Sequence, residues 1–503
     1  MIDVSAYSSH EPPLMNRSIN LLRYLLTFFL ALGGLISLGV GYGATIQVKK
    51  IVNLLAPDGS LEFFTPVFHD TLRLPLIILG FVVLILGCVL MVLPRQANRW
   101  IRAVLVWLGY EIRAVLQDGV ILWQQLIRLR FSRWEWLILA GLMIFAFLSR
   151  WVWIDKPMMH DESYTFIAFA KRPLIKIISD YHLPNNHILN TILIHLLYRL
   201  LGNISPAVVR FPAFLAGVLC VPLAYFYSRS VYSRAAAFLG SALIAVLPQL
   251  ITQSTNGRGY MLMAAFTLAM LGLSEYVRRK KNRAAWFLLI ILTVLNFYTL
   301  PIALYPFAIL AFWLLVSAVL NDIGKDYSSR WHFLKFLAGY GAFSAILVFL
   351  IHSPIFLIGT GWRSFFNNPF VAPLTWSEFR DTLPVRLSES FTEWTNGIPA
   401  WFIGLLAVGF FVSLLLYRRK EGGKFPLQWS ILITVPIIFV IQRPNPWARI
   451  WTYLVPLILI FCSAGLVGMV NLLAGKRFGK IAAGGFTVIL VGLVWGFGIH
   501  NVI

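Results

Sequence analysis

Apolar runs of about bilayer length recur along nearly the whole chain, separated by short polar stretches. The pattern predicts membrane spans near 20–42, 73–93, 136–153, 206–227, 235–251, 260–277, 285–300, 302–320, 333–357, 399–417, 427–442, 450–473 and 481–500. Each is close to the roughly 20 apolar residues that a hydrocarbon core requires. The 95–134 stretch breaks the pattern, because Arg102, Glu111, Arg113 and Asp118 do not suit a span. Ile101, Leu105, Leu108, Ile112 and Leu116 recur at helical spacing there, which predicts an amphipathic helix lying on the membrane with its basic residues near anionic lipid. The segment 187–202, "HILNTILIHLLYRLLG", is apolar yet is expected to stay at one face. A full crossing by it would flip every later basic loop outward.

Loop charge sets the expected orientation. "SRSVYSR" (228–234), "RRKKNR" (278–283), "YRRKEGGK" (417–424), "GKRFGK" (475–480) and the Arg-rich 95–133 stretch read as cytoplasmic. Residues 154–205, 252–259, 358–398 and 443–449 then fall outside. Lys49 and Lys50 lie in an outer loop against this trend and are outweighed by the basic clusters. The expectation is an all-α polytopic chain of about thirteen spans, amino-terminus inside and carboxyl-terminus outside. Residues 1–134 read as an appendage of two spans and the amphipathic helix, and residues 135–503 as the main body.

Composition agrees. Of 503 residues 59% are hydrophobic and only 12% charged, with mean hydropathy +0.78. A net charge of +22 would suggest nucleic acid in a soluble protein; here it is what the cytoplasmic loops need, so no nucleic-acid partner is expected. Cys88, Cys220 and Cys462 sit in apolar runs and read as buried thiols rather than disulfides. The first apolar run is too long for the core of a cleaved signal peptide.

The polar residues of the outer segments carry the candidate chemistry. "MMHDESYTF" (158–166) places His160, Asp161 and Glu162 directly after a span. "DYHLPNNHILN" (180–190) adds His182, Asn186 and His187. Arg210 opens one span, Arg258 and Tyr260 open another, and "RPNPWAR" (443–449) brings Arg443 and Arg449. Carboxylates suit general-base work, and guanidiniums suit phosphate. Taken singly, each has a plainer reading: the acidic pair as a helix cap, the histidines as interfacial packing, the arginines as snorkelling side chains. Arg150, inside a span, needs a partner such as Asp155 or a lipid phosphate. Arginines gathered on the outside oppose the general loop bias, so the set needs a reason.

Together these motifs resemble the GT-C membrane glycosyltransferases, in particular the protein O-mannosyltransferase and aminoarabinose-transferase-like group. "HDESYTF" is similar to that group's Asp-Glu motif. "NNHILNTILIHLLYRLLGN" with "VVRFPAFLAGVLCVPLAYFYSR" is similar to its next stretch. "STNGRGYMLM" and "RIWTYLVPL" resemble its Arg-x-Tyr and late Arg-Tyr-Leu-Pro elements. The likeness spans about 135–480 and departs at 186–189, where Asn-His-Ile-Leu stands for His-Pro-Pro-Leu. The resemblance implies an inverting transfer of a hexosyl or pentosyl group from a polyprenyl-phosphate donor to an acceptor hydroxyl outside the membrane. Asp161 would be the base and Glu162 its helper, or a ligand for a divalent ion if one is used. Arg210, Arg258 and Arg449 would hold the lipid phosphate. His160, His182, Asn186, His187 and Tyr260 would contact substrate. The acceptor, whether protein, lipid or glycan, is left open, and the setting is a bacterial plasma membrane. The 358–398 segment would cover the site, with Trp362, Phe365, Phe366 and Trp376 stacking on sugar or anchoring at the interface. The alternative is a lipid-linked sugar flippase or transporter, which would want its charges at mid-membrane. A polymerase or ligase would not need the acidic pair, and a scaffold would leave it unexplained.

Overall fold

The computed structural model describes residues 13–55, 64–127, 131–368, 372–420, 423–445 and 447–475, together with scattered positions between 482 and 496. The described residues are helical, with no strand among them. Four helices make the amino-terminal part: α1 (Pro13–Tyr42), α2 (Thr45–Asn53), α3 (Pro66–Val92) and α4 (Pro94–Ile127). The body runs through α5 (Arg133–Trp151), α6 (His160–Thr165), α7 (Leu174–Ser179), α8 (Ile188–Leu201), α9 (Pro206–Val231), α10 (Arg234–Val246), α11 (Pro248–Ser254) and α12 (Tyr260–Arg279). It continues through α13 (Arg283–Thr299), α14 (Leu304–Val319), α15 (Arg330–Leu357), α16 (Gly361–Phe366), α17 (Trp376–Thr395), α18 (Ala400–Lys420), α19 (Leu427–Gln442) and α20 (Leu454–Leu473).

Eight of the described helices are long and apolar enough to cross a membrane, or up to ten if two bent pairs each count as one span. The chain is therefore an integral, multi-pass membrane protein. The apolar segments expected near 285–300 and 427–442 form the shorter helices α13 and α19, and the 481–500 expectation lies largely outside the described residues. α8 has 14 residues, about 21 Å at 1.5 Å per residue, well short of a hydrocarbon core.

The core is built from α9, α10, α12 and α20, whose facing surfaces bury Cys220, Tyr225, Leu243, Met263 and Phe461. Close approach depends on small residues, as expected where helices associate by packing in lipid. A Cβ on Gly465 would meet the Gly409 carbonyl oxygen at 1.7 Å, which locks α20 against α18. A Cβ on Gly217 of α9 would lie 2.0 Å from Ser254 Oγ.

The span expected at 235–251 is broken between α10 and α11, with a bend of 59°. Pro248 explains the break. It has no N–H to give the carbonyl of Ile244, four residues back. Arg150, fully buried in α5, supplies the missing donors: its guanidinium reaches Ile244 O at 3.2 Å, Ala245 O at 3.0 Å and Ser254 Oγ at 3.0 Å. The expected partner of Arg150 is thus corrected: opened carbonyls and a hydroxyl hold it, and Asp155 does not.

The expected amphipathic helix is α4. Its Asp118 carboxylate accepts from Arg283 N at 2.6 Å, its Asp118 carbonyl from Asn282 Nδ2, and its Glu111 pairs with Arg283 at 3.4 Å. The 278–283 loop and α4 therefore share one end of the molecule. At that end Glu135 also receives Arg229 and Arg234, and Arg278 pairs with Asp322, whose carboxylate takes the amide of Lys424. The far end of the amino-terminal hairpin meets the body too. Val48, Val52 and Phe64 pack with Ile175 of α7, and the Phe68 ring lies against Gly361.

Candidate active site

The polar residues singled out in the sequence lie at the end of the molecule opposite these basic loops, where α5 finishes and α9, α12 and α20 begin. α6 starts at His160, and its N-cap position falls on Met159, which makes no side-chain cap. Asp161 and Glu162 are therefore not there as caps. Adjacent on one turn, they have opposite environments.

Glu162 is 1% exposed and faces Arg210, itself 2% exposed, with Nη2 to Oε2 at 2.8 Å and Nε to both carboxylate oxygens at 3.2–3.3 Å. Arg210 also donates to the carbonyls of Trp153, Ile154, Lys156 and Pro157. Glu162 accepts the amide of Gly257 at 3.2 Å as well. Gly257 is required for that approach, since a Cβ there would stand 2.7 Å from Val209 Cγ1. Two sequence expectations are corrected here. Arg210 has no N–H left for a phosphate, and Glu162 has no lone pair aimed at a substrate; the pair ties the start of α9 to the loop before α6.

Asp161 is the more open of the two, its side chain 30% exposed. Its Oδ2 lies 3.0 Å from Arg449 Nη2 and 3.7 Å from Arg258 Nη1, and its Oδ1 lies 3.8 Å from the exposed ring of His160. Residues almost 300 positions apart in the sequence thus meet on one carboxylate. Arg258 is 3% exposed, and its Nε is buried without a partner.

Beside Arg258 stands His187, 1% exposed. Its Nδ1 accepts the Gly259 amide at 2.7 Å, and its Nε2 lies 3.1 Å from Arg258 Nη2. Burial, followed by the charges of Arg258 and Arg449, pushes His187 well below the ordinary histidine value. The ring is thus neutral at pH 7, and Nδ1 is its acceptor, so the proton sits on Nε2. Two donors, Nε2–H and a guanidinium N–H, then face each other with no acceptor between them. That arrangement is unfavourable alone and favourable around an anion. Gly259 fixes it, because a Cβ there would lie 2.6 Å from Thr299 Cγ2 and 3.1 Å from His187 Nδ1.

The remaining expectations divide. Tyr260 is buried edge-on to His187, at 4.9 Å between ring centres, and forms a wall rather than a free contact. Asn186 is fully buried, its amide donating to Ile177 O and Asp180 O, so it shapes its own loop. His182 has both ring nitrogens engaged, by Asp180 at 2.6 Å and Tyr164 OH at 2.9 Å. These last three were expected to contact substrate; Asn186 and His182 are corrected by the protein partners that take their polar nitrogens, and Tyr260 by its ring packing on His187. Trp362 and Phe366 stack on one another and on Phe356, 4.1–6.3 Å between centres. Arg443 lies over the Trp376 ring at 4.9 Å. Among the described residues, no group of three or more His, Cys, Asp or Glu side chains is placed to hold a metal ion.

Sequence reasoning missed Tyr164, Asp180, Lys176 and Glu393. Tyr164 had a signal, since it follows Asp161 by three residues on the same helix. Glu393 on α17 had none. Burial raises its carboxyl above the usual range, partly offset by Arg449.

Several known proteins are similar to this chain. ArnT from Cupriavidus metallidurans, in the apo state, is 12% identical over 73% of this chain and 71% of its own, with a TM-score of 0.47. The Archaeoglobus fulgidus oligosaccharyltransferase with a tethered acceptor peptide is 12% identical over 74% of this chain, with a TM-score of 0.44. The oligosaccharyltransferase AglB from Archaeoglobus fulgidus, with an inhibitory peptide and a dolichol-phosphate, gives 12% identity and a TM-score of 0.41 over 73% of this chain. The chain spans 55% of the length of either archaeal structure. No curated protein matches the chain. Residues 188–321 match the model of the dolichyl-phosphate-mannose-protein mannosyltransferase family, the group whose motifs the sequence resembles, with Asp161 ahead of the matched stretch and Arg449 beyond it.

Proposed function

We propose that the chain is a membrane glycosyltransferase that moves a sugar from a polyprenyl-phosphate carrier to an acceptor hydroxyl on the outer face of the membrane. The observation that carries this reading is the meeting of Asp161 with Arg258 and Arg449, with the His187 ring beside Arg258. A transferase of this kind needs a base for the incoming hydroxyl and donors for the departing phosphate, within reach of one another. The orientation rests on loop charge: the basic loops share one end of the fold, and Asp161 lies at the other. The family match over 188–321 supports the same class.

The mechanism follows from the arrangement. With no donor bound, Asp161 takes the place of an anion on Arg449 and Arg258. Its Oδ2 is then held on the guanidiniums, which turns the carboxylate toward the phosphate donors and away from an acceptor hydroxyl. The lipid phosphate competes for the same donors and finds His187 Nε2–H and Arg258 Nε beside them. Once it binds, Asp161 is released toward the acceptor. The acceptor oxygen attacks the anomeric carbon in line, its proton passes to Asp161, and the carbon–phosphate oxygen bond breaks with inversion. The charge left on the phosphate is held by Arg258 and Arg449, buried or half-buried where such donors act strongly. His160, exposed at the mouth, is positioned to meet the acceptor. A divalent ion is not required by this scheme.

The test is release of polyprenyl phosphate from a panel of polyprenyl-phosphate sugars, with a membrane extract as acceptor source. Wild type is expected to consume one donor. Asp161→Asn should lower that turnover by at least about a hundredfold while still binding the donor. Equal turnover by both proteins would sink the assignment of Asp161, and silence on every donor would sink the transferase reading.

A further inference from the structure

Outside the arginine cluster, one chain of side chains reaches α6 from below. Lys176 Nζ lies 2.7 Å from Asp180 Oδ2, Asp180 Oδ1 lies 2.6 Å from His182 Nδ1, and His182 Nε2 lies 2.9 Å from Tyr164 OH. Asp180 is buried, Lys176 and Tyr164 are partly buried, and His182 is about a third exposed. The chain is held from several sides. Asp180 Oδ1 also accepts the amide of His182, Asn368 donates to the His182 carbonyl, and Asn186 donates to the Asp180 carbonyl. The His182 ring lies against Phe169 at 5.4 Å.

Burial alone would raise the Asp180 carboxyl, but hydrogen bonds from His182 and Lys176 outweigh it and hold it below the usual range. Ionised Asp180 accepts only, so His182 Nδ1 carries a proton. With the ring's proton on Nδ1 toward Asp180, Nε2 accepts and the Tyr164 hydroxyl 2.9 Å away donates to it. Burial, then the Asp180 charge, raises the Tyr164 phenol, so it keeps its proton. A hydroxyl whose hydrogen is committed in this way shows only lone pairs to its other side. Tyr164 stands one turn after Asp161 on α6, and residues so spaced lie on one face with Cβ atoms about 5–6 Å apart.

We propose that Tyr164 is a further substrate-binding residue of this site, set by Lys176, Asp180 and His182 as an obligate hydrogen-bond acceptor that recognises a hydroxyl group on the sugar or on the acceptor. The proposal rests on the transferase reading and names a specificity contact within it. His182 and Asp180 are positioning residues that act through Tyr164. A site with a fixed acceptor discriminates against a substrate lacking the matching donor, because the phenol oxygen is then left unpaired.

The experiment uses the full-length protein and the donor found active with wild type. Tyr164→Phe removes only the hydroxyl and is expected to lower kcat/KM about tenfold or more with an unchanged thermal midpoint. His182→Phe should lose a similar factor, and the double variant should fall no further than the worse single one, since the two act as a unit. Asp180→Asn is a second, isosteric way to break the chain and should be non-additive with Tyr164→Phe in the same sense. Donors deoxygenated at single ring positions then locate the hydroxyl. If wild type and Tyr164→Phe converge on one deoxy donor, the group is on the sugar. If they differ equally on all, it is on the acceptor. Wild-type rates in Tyr164→Phe, or additive losses in the cycles, would overturn the proposal while leaving the transferase reading intact. A wild type silent on every donor overturns both.

Discussion

At the scale of single residues, Asp161 and Glu162 divide by environment rather than by chemistry. Glu162 is spent on Arg210 and Gly257, whereas Asp161 stays partly open between Arg258 and Arg449. Glu162→Gln should therefore read out first as loss of folded protein, because removing one charge of a buried pair strands the other at about 3–5 kcal/mol. Arg449→Gln should fold normally and lower kcat by about a hundredfold in the phosphate-release assay, the usual effect of removing a donor to developing negative charge. His187 gives a pH prediction. Its folded-state value lies well below the ordinary 6.5, so below that pH the unfolded chain binds a proton that the folded chain resists. Stability should then fall as pH drops through about 6.5, and His187→Gln should flatten that slope in thermal unfolding in detergent between pH 7 and 5.

At the scale of elements, the break between α10 and α11 is the most informative feature. Pro248 opens the helix, and Arg150 fills the opened carbonyls from a neighbouring helix. Arg150→Leu leaves buried carbonyls without donors and should cost at least about 2 kcal/mol, seen as a lowered unfolding midpoint. Gly217→Ala should do comparable damage at the same junction, since its Cβ would enter the Ser254 side chain that Arg150 grips. Proline at 248 and arginine at 150 were both visible in the sequence. Their partnership was not, because the carbonyls that Arg150 serves carry no side-chain signature.

At the scale of the whole molecule, basic loops and site residues occupy opposite ends. The orientation can be read with single cysteines in a Cys88→Ser background, since Cys220 and Cys462 are buried. Lys156→Cys should react with a membrane-impermeant maleimide in intact cells, and Lys280→Cys only after permeabilisation; the reverse pattern would turn the site to the cytoplasm. The amino-terminal hairpin, expected as an appendage, touches the body at both ends, through α4 against α13 and Phe68 against Gly361.

The sequence by itself determined an all-helical membrane chain, most of its span positions, and the helix that the structure places over Pro94–Ile127. It could do so because apolar length, helical period and loop charge are local properties that a bilayer reads directly. It also placed Asp161, Arg258, Arg449 and His187 in one set, since each stands out as a polar group beside apolar helices. Only the tertiary structure decided which members of the larger set are free. Arg210 and Arg258 each stand at or near the start of a span with similar neighbours, yet one is consumed by Glu162 and four carbonyls and the other keeps a buried Nε unpaired. Asn186, His182 and Tyr260 look equally available in the chain and are all engaged in the fold. The physical reason is common to these cases: a donor's availability depends on which distant acceptors the packing brings within 3 Å, and that is settled by where helices cross, not by the residues on either side of it in sequence.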